Sequence, residues 1–468
     1  MKYDKILSLA TLFALSLSVS AQPADEPLTL AAAREMALQH NNDITTANLK
    51  LEQTAFDVQA YRSNFFPRVN LVAADFYSTA SGNVEIAGGH LPIYVMNPQT
   101  GTYVPNVTVA EDGSYTLNQY ADFPTQSMEY KIKNIFIGGV SLQQPIYMGG
   151  KISAAYRMAQ IGQSIARDNI RLTESQVIVR TDEAYMQAVK AQQMLQVANS
   201  YKALLDELLK NVEAAVRVGI KTRNDQLKVQ VKLNEAELAI QRATNACQLT
   251  SMNLCHILGL PLQRNLSVVS PLTADSLQLA PLAGEVGQRP ESAMLAEKTR
   301  LADQQVNLTR SDFLPNVALF AGYTYANGAE LAGRKLIDGA SASVGVTVKM
   351  PVLTFGERSS KIRSARAKQQ MAQIEEQDLN QQMALELAQA SNNLSEATTE
   401  VDITRRSLQQ AEDNLKTSRQ QYEVGLEPLS ELLDAQALWQ QAYASHIDAT
   451  CQLVLARTRY LKAAGTLR

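Results

Sequence analysis

Four segments of this chain alternate apolar and polar residues with a period of two, which predicts β-strands. In the clearest segment, residues 343–350, every second residue is apolar: Val344, Val346, Val348 and Met350. Residues 316–325 also alternate, and residues 139–143 and the segment after Pro67 repeat the pattern less sharply. Successive side chains of a strand point to opposite faces, so each segment predicts a strand with one apolar face. Each strand can be about ten residues long, which suits a tilted strand that crosses a bilayer.

Longer segments place apolar residues at spacings of three and four, which predicts helices that pack along one stripe. One such stripe consists of Tyr201, Leu204, Leu205, Leu208, Val212 and Val216. Residues 151–218 contain no proline, and residues 357–424 contain neither proline nor glycine. Each segment therefore predicts a helix of about 68 residues, roughly 100 Å long. The other predicted helices are 30–65, 224–258, 291–313 and 429–464.

The predicted elements occur twice in the same order. Residues 139–146 resemble residues 345–352, and the helix-ending Gly219 corresponds to Gly425, so both pairs are separated by 206 residues. A repeated pattern of this kind indicates a duplicated unit. We predict a first structural repeat at 22–282 and a second at 283–468.

The two repeats differ in the length of one loop. The segment around Pro67 resembles the segment around Pro315, 248 residues further on, so the first repeat contains 42 extra residues before residue 139. Residues 79–130 are rich in Gly, Pro, Asn and Asp, which predicts a long loop. Long loops on one side of the strands and tight turns on the other are typical of a membrane β-barrel.

The number of strands limits how a barrel can form. Four strands cannot close a barrel, and the smallest membrane barrels have eight strands. An open strand edge is not tolerated in lipid. The strands therefore form either a soluble sheet or a share of a barrel that several chains build together.

The N-terminal residues predict a signal peptide at 1–21. Lys2 and Lys5 precede an apolar stretch, and small residues lead to a plausible cleavage point after Ala21. No later window is apolar for 18 or more residues, so we predict no transmembrane helix. The formal net charge of −3 argues against a nucleic-acid partner.

The sequence contains few candidate residues for catalysis or for binding a metal. No catalytic motif is present, and Cys247, Cys255 and His256 lack the spacing of a metal site. We therefore predict no enzymatic activity, no catalytic residues, no cofactor and no metal. Glu431 and Asp434 lie three residues apart at a helix start and share a face. Alone, this pair is also explained by the preference of acidic residues for helix N-termini.

The duplicated layout, the segments 66–68, 314–316 and 143–150, and both Val-Gly turns resemble the TolC-like outer-membrane efflux protein family (outer-membrane factors). The resemblance covers essentially all of the mature sequence. It implies a mixed α and β fold in a homotrimer. Three chains would each contribute four strands to a 12-stranded transmembrane β-barrel, which continues as a long periplasmic α-helical coiled-coil barrel.

The resemblance also implies roles for individual residues. The pore-constriction aspartates of the family correspond to Glu431 and Asp434. The gate tyrosine corresponds to Tyr422, and its aspartate partner to Asp225. These four residues are the expected constriction and gate.

One position departs from the family pattern. The bridging arginine of the family corresponds to Glu427, which would repel Asp225. Lys221 or Arg223 on the other turn could supply a reversed pair, and the sequence does not decide between them.

We interpret the chain as the outer-membrane exit duct of a tripartite efflux or type I secretion system. The implied partners are an inner-membrane pump and a periplasmic adaptor that meets the turns at Val218, Gly219, Val424 and Gly425. The pump class and the cargo stay open. Two alternatives remain: a non-pore periplasmic coiled-coil structural protein, and an exported enzyme such as a hydrolase. The paired strands count against the first, and the missing catalytic motif counts against the second.

Overall fold

The structure is a computed structural model, and it describes residues 27–132, 134–264, 266–270 and 288–467. The predicted signal peptide at 1–21 and the predicted repeat boundary at 282/283 lie outside these residues. Long helices dominate the described chain. The helices are α1 (Leu30–His40), α2 (Asn42–Ser63), α3 (Lys151–Arg217), α4 (Arg223–Ile257), α5 (Pro290–Ser311), α6 (Glu357–Glu423) and α7 (Leu429–Ala463). None of the described helices is long and apolar enough to cross a membrane.

The long helices agree with the sequence predictions to within one residue at each end. Helices α3 and α6 both have 67 residues, and α4 and α7 both have 35. Helices α6 and α7 begin and end 206 residues after α3 and α4 respectively, from Lys151 to Glu357 and from Arg223 to Leu429.

The first predicted helix, residues 30–65, is wrong as a single element, because it is interrupted at Asn41. Asn41 has extended backbone angles, φ −69° and ψ 133°. Its side-chain amide donates to the carbonyl of Ile257 at 2.9 Å, and its Oδ1 accepts from the backbone N–H of Asp43 at 2.8 Å. These bonds favour a break, because a side chain that satisfies the first N–H groups of a helix acts as a cap.

The described chain divides into two compact units. The helical unit consists of the described residues within Met1–Val58, Met158–Asp303 and Ala367–Arg468. The strand unit consists of those within Gln59–Arg157 and Gln304–Arg366.

The helical unit is held together by buried contacts between helices. The predicted stripe on α3 is confirmed, because Leu205 and Val212 are fully buried and pack with Leu432 of α7. A polar contact also joins three helices. Asp182 of α3 is completely buried, and it accepts from Arg34 Nε at 2.7 Å and from Thr458 Oγ1 at 2.6 Å. Burying a carboxylate is tolerated where such partners satisfy it.

The strand unit contains the four predicted strands as one antiparallel sheet. These are β1 (Arg68–Tyr77), β10 (Asn134–Met148), β11 (Asn316–Asn327) and β14 (Asp338–Lys349), in the spatial order β1-β10-β11-β14. Within the described residues, β1 and β14 each pair on one side only. The register shifts between Pro145 and Tyr147 of β10, where proline has no N–H to donate.

The strand register gives this sheet one apolar face and an opposite face that mixes polar and small residues with apolar ones such as Phe76 and Phe320. Leu71, Val140 and Tyr323 lie side by side on three neighbouring strands. The row one residue away is polar or small and consists of Asn70, Ser141, Gly322 and Ser343. In this chain the apolar face is uncovered, since Leu71 is 78% exposed and Val344 is 77% exposed.

The prediction that residues 79–130 form a loop is wrong. This segment folds into short antiparallel hairpins, which we call the insertion. Its strands are β2 (Ser81–Ile86), β3 (Gly89–Pro92), β4 (Tyr94–Met96), β5 (Tyr103–Pro105), β6 (Val107–Val109), β7 (Tyr115–Leu117), β8 (Tyr120–Phe123) and β9 (Gln126–Lys131). The Gly, Asn and Pro residues mark the turns, and the Tyr and Val residues between them favour strands.

The insertion consists of four antiparallel strand pairs: two nested pairs, β2-β9 and β3-β8, and two short hairpins between β3 and β8. Strand β2 pairs with β9, β3 with β8, β4 with β5, and β6 with β7. The connection between β11 and β14 contributes β12 (Glu330–Leu331) and β13 (Arg334–Lys335), and β12 pairs with β9. This connection and the insertion therefore share one small sheet, in the order β13-β12-β9-β2.

Candidate functional site

The predicted site lies at the two turns of the helical unit, residues 218–222 and 424–428. Both turns begin in the same way. Gly219 and Gly425 have a φ of 79°, a left-handed conformation that favours glycine. The N–H of Ile220 donates to the carbonyl of Ala215 at 2.9 Å, and the equivalent bond of the second turn, from Leu426, is also 2.9 Å. This is the Schellman pattern that closes a helix C-terminus.

The two turns differ in how the next helix begins. Thr222 and Asp225 form a capping box at the start of α4. Thr222 Oγ1 accepts from the N–H of Asp225 at 3.2 Å, and the Asp225 carboxylate accepts from the N–H of Thr222 at 3.1 Å. Pro428 precedes α7 without a side-chain cap. The first turn is therefore more firmly anchored than the second.

Both turns present apolar side chains to solvent. Val218 and Val424 are exposed, and Ile220 and Leu426 are exposed still further, at 75% and 80%. Surface apolar residues at matched positions of two neighbouring turns are typical of a contact surface for another protein.

Two contacts join α6 to α3 and to the turn that follows α3. Arg419 Nη2 of α6 lies 2.7 Å from Glu207 Oε1 of α3, and Arg419 Nε also lies 3.1 Å from Glu423 Oε1 within α6. The Nζ of Lys221 lies 4.6 Å from the centre of the Tyr422 ring, which is a cation–π contact. We call these two contacts, Arg419–Glu207 and Lys221–Tyr422, the latch.

The expected gate residues Tyr422 and Asp225 lie close enough for the charge of Asp225 to act on the Tyr422 hydroxyl. Burial raises the pKa of Tyr422, and the negative charge of Asp225 raises it further. Hydrogen bonds from Thr222 lower the pKa of Asp225, and the charges of Lys228 and Lys221 add to this effect. The Asp225 carboxylate therefore serves primarily as a helix cap.

Glu427 accepts a hydrogen bond from a residue of the second half of the chain, in which it lies itself. Its Oε2 accepts from the hydroxyl of Ser418 at 2.5 Å. Within the part of the chain that the structure describes, no ion pair joins Glu427 to Lys221 or to Arg223.

Glu431 and Asp434 lie on the exposed face of the first turns of α7, opposite the buried Leu432 and Ala435. The spacing of three residues therefore places both carboxylates on one side, as the sequence predicts. Asp434 is close enough to Lys232 of α4 to contribute, as a minor cause, to a raised pKa of that lysine.

The sequence interpretation missed Thr222, Glu207 and Arg419. A Thr followed three residues later by an acidic residue is a helix-start signal, so the Thr222 cap could have been found. The pairing of Arg419 with Glu207 could not, because these residues are 212 positions apart in sequence and meet only when their two helices pack.

Comparisons with known proteins identify the family. The model of the family "Outer membrane efflux protein" matches residues 33–260 and 287–466. The alkaline protease secretion protein AprF of Pseudomonas aeruginosa is 24% identical over 71% of this chain and 69% of its own length. The outer membrane efflux protein BepC of Brucella suis is 23% identical over 78% of both chains.

The fold is similar to that of solved channels. The crystal structure of the Campylobacter jejuni CmeC outer membrane channel superposes with a TM-score of 0.71 at 17% identity. The match covers 97% of this chain and 91% of that one.

The fold and the family define an outer-membrane exit duct with a helical periplasmic extension, which is a transport channel and not an enzyme class. The chain belongs to the outer membrane efflux protein family.

Proposed function

We propose that three copies of this chain form the duct, and that each contributes four strands to one 12-stranded barrel. The observation that carries this proposal is the four-stranded sheet with an uncovered apolar face and two open edges. An apolar face suits lipid, and the opposite face, with its row of Asn70, Ser141, Gly322 and Ser343, suits a water-filled interior better. Closing the ring between chains satisfies the edge strands, whose N–H and C=O groups cannot remain free in lipid.

The duct arises from a duplicated chain that is exported by its signal peptide at 1–21. The repeats span 22–282 and 283–468. The common offset of 206 residues at the ends of the four long helices supports this division. Two similar repeats in each of three chains would surround the pore with six similar units.

The partners are a periplasmic adaptor and an inner-membrane pump. The names of the relatives AprF and BepC mention secretion and efflux respectively, so either system can supply the cargo. The adaptor meets the two turns at Val218, Gly219, Val424 and Gly425. The exposed apolar side chains beside both glycines support this contact.

The periplasmic end closes at the same turns. Glu431 and Asp434 line the constriction, and Tyr422 and Asp225 belong to the gate. The latch holds the end of α6 against the end of α3. It takes the place of the family's bridging arginine, which this chain lacks because Glu427 stands at that position.

The latch is weak enough to open. An exposed ion pair contributes about 0.2–1 kcal/mol, and an exposed cation–π contact contributes about 0.5–1 kcal/mol. If three chains open together, losing one ion pair per chain amounts to about 0.6–3 kcal/mol. This corresponds to roughly a 3-fold to 150-fold change in the ratio of open to closed channels.

The experiment is single-channel recording of the purified protein in planar bilayers. We expect Arg419→Gln to raise the open fraction within the range above. The matched control is Arg405→Gln, because Arg405 pairs with Asp402 inside the same helix, α6. An open fraction of Arg419→Gln equal to that of the control would exclude the latch.

A further inference from the structure

The small sheet of the strand unit repeats the strand order of the large sheet. Each of its strands is the chain neighbour of one long strand: β2 follows β1, β9 precedes β10, β12 follows β11, and β13 precedes β14. The order β2-β9-β12-β13 therefore matches the order β1-β10-β11-β14. The small sheet is thus a continuation of the large sheet rather than an independent one.

Backbone hydrogen bonds connect the two sheets. Strand β11 pairs with β14 as far as Asn327 and Asp338. Two further bonds, of 3.0 and 2.6 Å, join residues 328–329 to residues 336–337, and the ladder then resumes in the same register as β12 and β13. The ladder of β11 and β14 therefore runs without interruption from the large sheet into the small one.

The length of the long strands places the small sheet outside the lipid. Strands β11 and β14 have 12 residues each. A tilted strand needs about 9–11 residues to cross a bilayer, so the large sheet already spans it. The continuation therefore lies in water, where an open strand edge is tolerated, and closure there needs evidence of its own.

The first piece of evidence is the pair of edges that the small sheet leaves open. Within the described residues, β2 and β13 each pair on one side only. Strand β2 has six residues, and Val84 and Ile86 on it are exposed. An exposed edge of this length favours pairing with another strand. Neighbouring strands of the sheet are all antiparallel, so β2 and β13 also run in opposite directions.

The second piece of evidence is the charge of the two edges. Glu85 is the only ionisable residue of β2, whereas β13 consists of Arg334 and Lys335. Opposite charges on neighbouring strands stabilise a pair, and like charges directly opposite each other destabilise it. The charges therefore favour β2 against β13 and disfavour either edge against a second copy of itself.

The face on which these side chains lie agrees with such a pair. Ser81 and Lys335 belong to one row across the four strands. Glu85 is an even number of residues from Ser81, so Glu85 and Lys335 lie on the same face of the sheet. In the part of the chain that the structure describes, no ion pair holds Glu85, so its carboxylate is available to the neighbouring edge.

We propose that β2 of one copy pairs with β13 of the next copy. The small sheets of three copies then close into a ring, which we call the collar, and the collar continues the barrel wall beyond the lipid. Each insertion is thereby anchored to two chains. The inference rests on the proposed trimer, but the trimer does not require it, because the long strands alone close the barrel within the lipid.

The test is disulfide formation between edges in the purified full-length protein in lipid nanodiscs. Lys335→Cys is combined in turn with Ser81→Cys, Asn83→Cys and Glu85→Cys, which share its face. Within one chain two strands separate these positions, about 14 Å at the usual strand spacing, so a disulfide can form only between copies. We expect at least one combination to give covalent trimers after oxidation. The matched control is Val84→Cys with Lys335→Cys, whose side chains point to opposite faces, and we expect it to give at least tenfold less.

Native mass spectrometry of the same samples separates the collar from the duct. A trimer without disulfides in all three combinations, or with as many disulfides in the control, would overturn the collar and leave the duct intact. The absence of a trimer in the wild-type protein would overturn both. The variant Lys335→Cys alone accounts for disulfides that involve the natural cysteines.

Hydrogen exchange of the wild-type protein needs no variant, so it tests the collar even if the cysteine variants fold poorly. In an antiparallel ladder, every second residue of a strand bonds to a given neighbour. An edge strand therefore protects about half of its amides, whereas a strand with two neighbours protects nearly all. We expect nearly all amides of residues 81–86 to be protected in the trimer. Protection of only about half of them would contradict the collar.

Discussion

At the level of single residues, the glycine backbone shapes both turns, whereas side chains cap the following helix in only one of them. The glycines at 219 and 425 set the shape of each turn, because their left-handed conformation lets the chain reverse after a long helix. Thr222 and Asp225 fix the start of α4, whereas the start of α7 has no side-chain cap. The less anchored second turn is followed by the acidic pair Glu431 and Asp434.

The acidic pair Glu431 and Asp434 leads to a prediction about the ion selectivity of the duct. Three chains bring these carboxylates close to one axis in the proposed duct, and rings of acidic side chains favour cations. We expect Glu431→Gln with Asp434→Asn to lower the cation selectivity several-fold and to weaken block by multivalent cations in single-channel recordings. Trimer assembly should not change, because both side chains are exposed.

The matched control for the acidic pair is Glu375→Gln with Asp378→Asn. These residues have the same spacing and are also exposed, but they lie on α6 far from the turns. Selectivity and block that stay the same in both double variants would mean that Glu431 and Asp434 only favour the helix start.

At the scale of elements, the sequence predicted the regular structure well where one strong pattern covered many residues. The helices of 67 and 35 residues and the four long strands follow directly from periodicity and from the positions of glycine and proline. The insertion was predicted as a loop because its strands have three to six residues, too few for an alternating pattern to stand out. The break at Asn41 was missed because it depends on the carbonyl of Ile257, which is distant in sequence.

The site was predictable only in part, for a similar reason. The shared face of Glu431 and Asp434 is a local property of one helix. The latch depends on which residues of separate helices meet, and a single periodic pattern does not contain that information.

The insertion leads to a prediction about which end of the strand unit faces the outside of the cell. The length difference of 42 residues that the sequence predicts between the two halves falls in this part of the chain, and Gly113 lies in a turn between β6 and β7 with open space around it. Exposed turns accept insertions more readily than packed elements. We expect an epitope placed beside Gly113 to be labelled by antibody on intact cells.

An epitope beside Gly219 is the control for topology, because we expect that turn to face the periplasm. It should be labelled only after the outer membrane is opened. The reverse pattern, with Gly113 protected and Gly219 accessible, would invert the proposed orientation.

As a whole molecule, the chain is complete only in the assembly that we propose. The strand unit has an apolar face without a cover and two edges without partners within the described residues. An isolated sheet of this kind would expose unpaired backbone groups and invite uncontrolled association. Three chains that share one barrel remove both problems at once.

The most direct test is the number of chains in the purified protein. Native mass spectrometry from detergent, with chemical cross-linking in parallel, should give a single species of three chains and no larger product. The cross-linked ladder should stop at the trimer. A stable monomer that retains its full strand content in detergent would contradict the account, because its open edges would then need no partner chains.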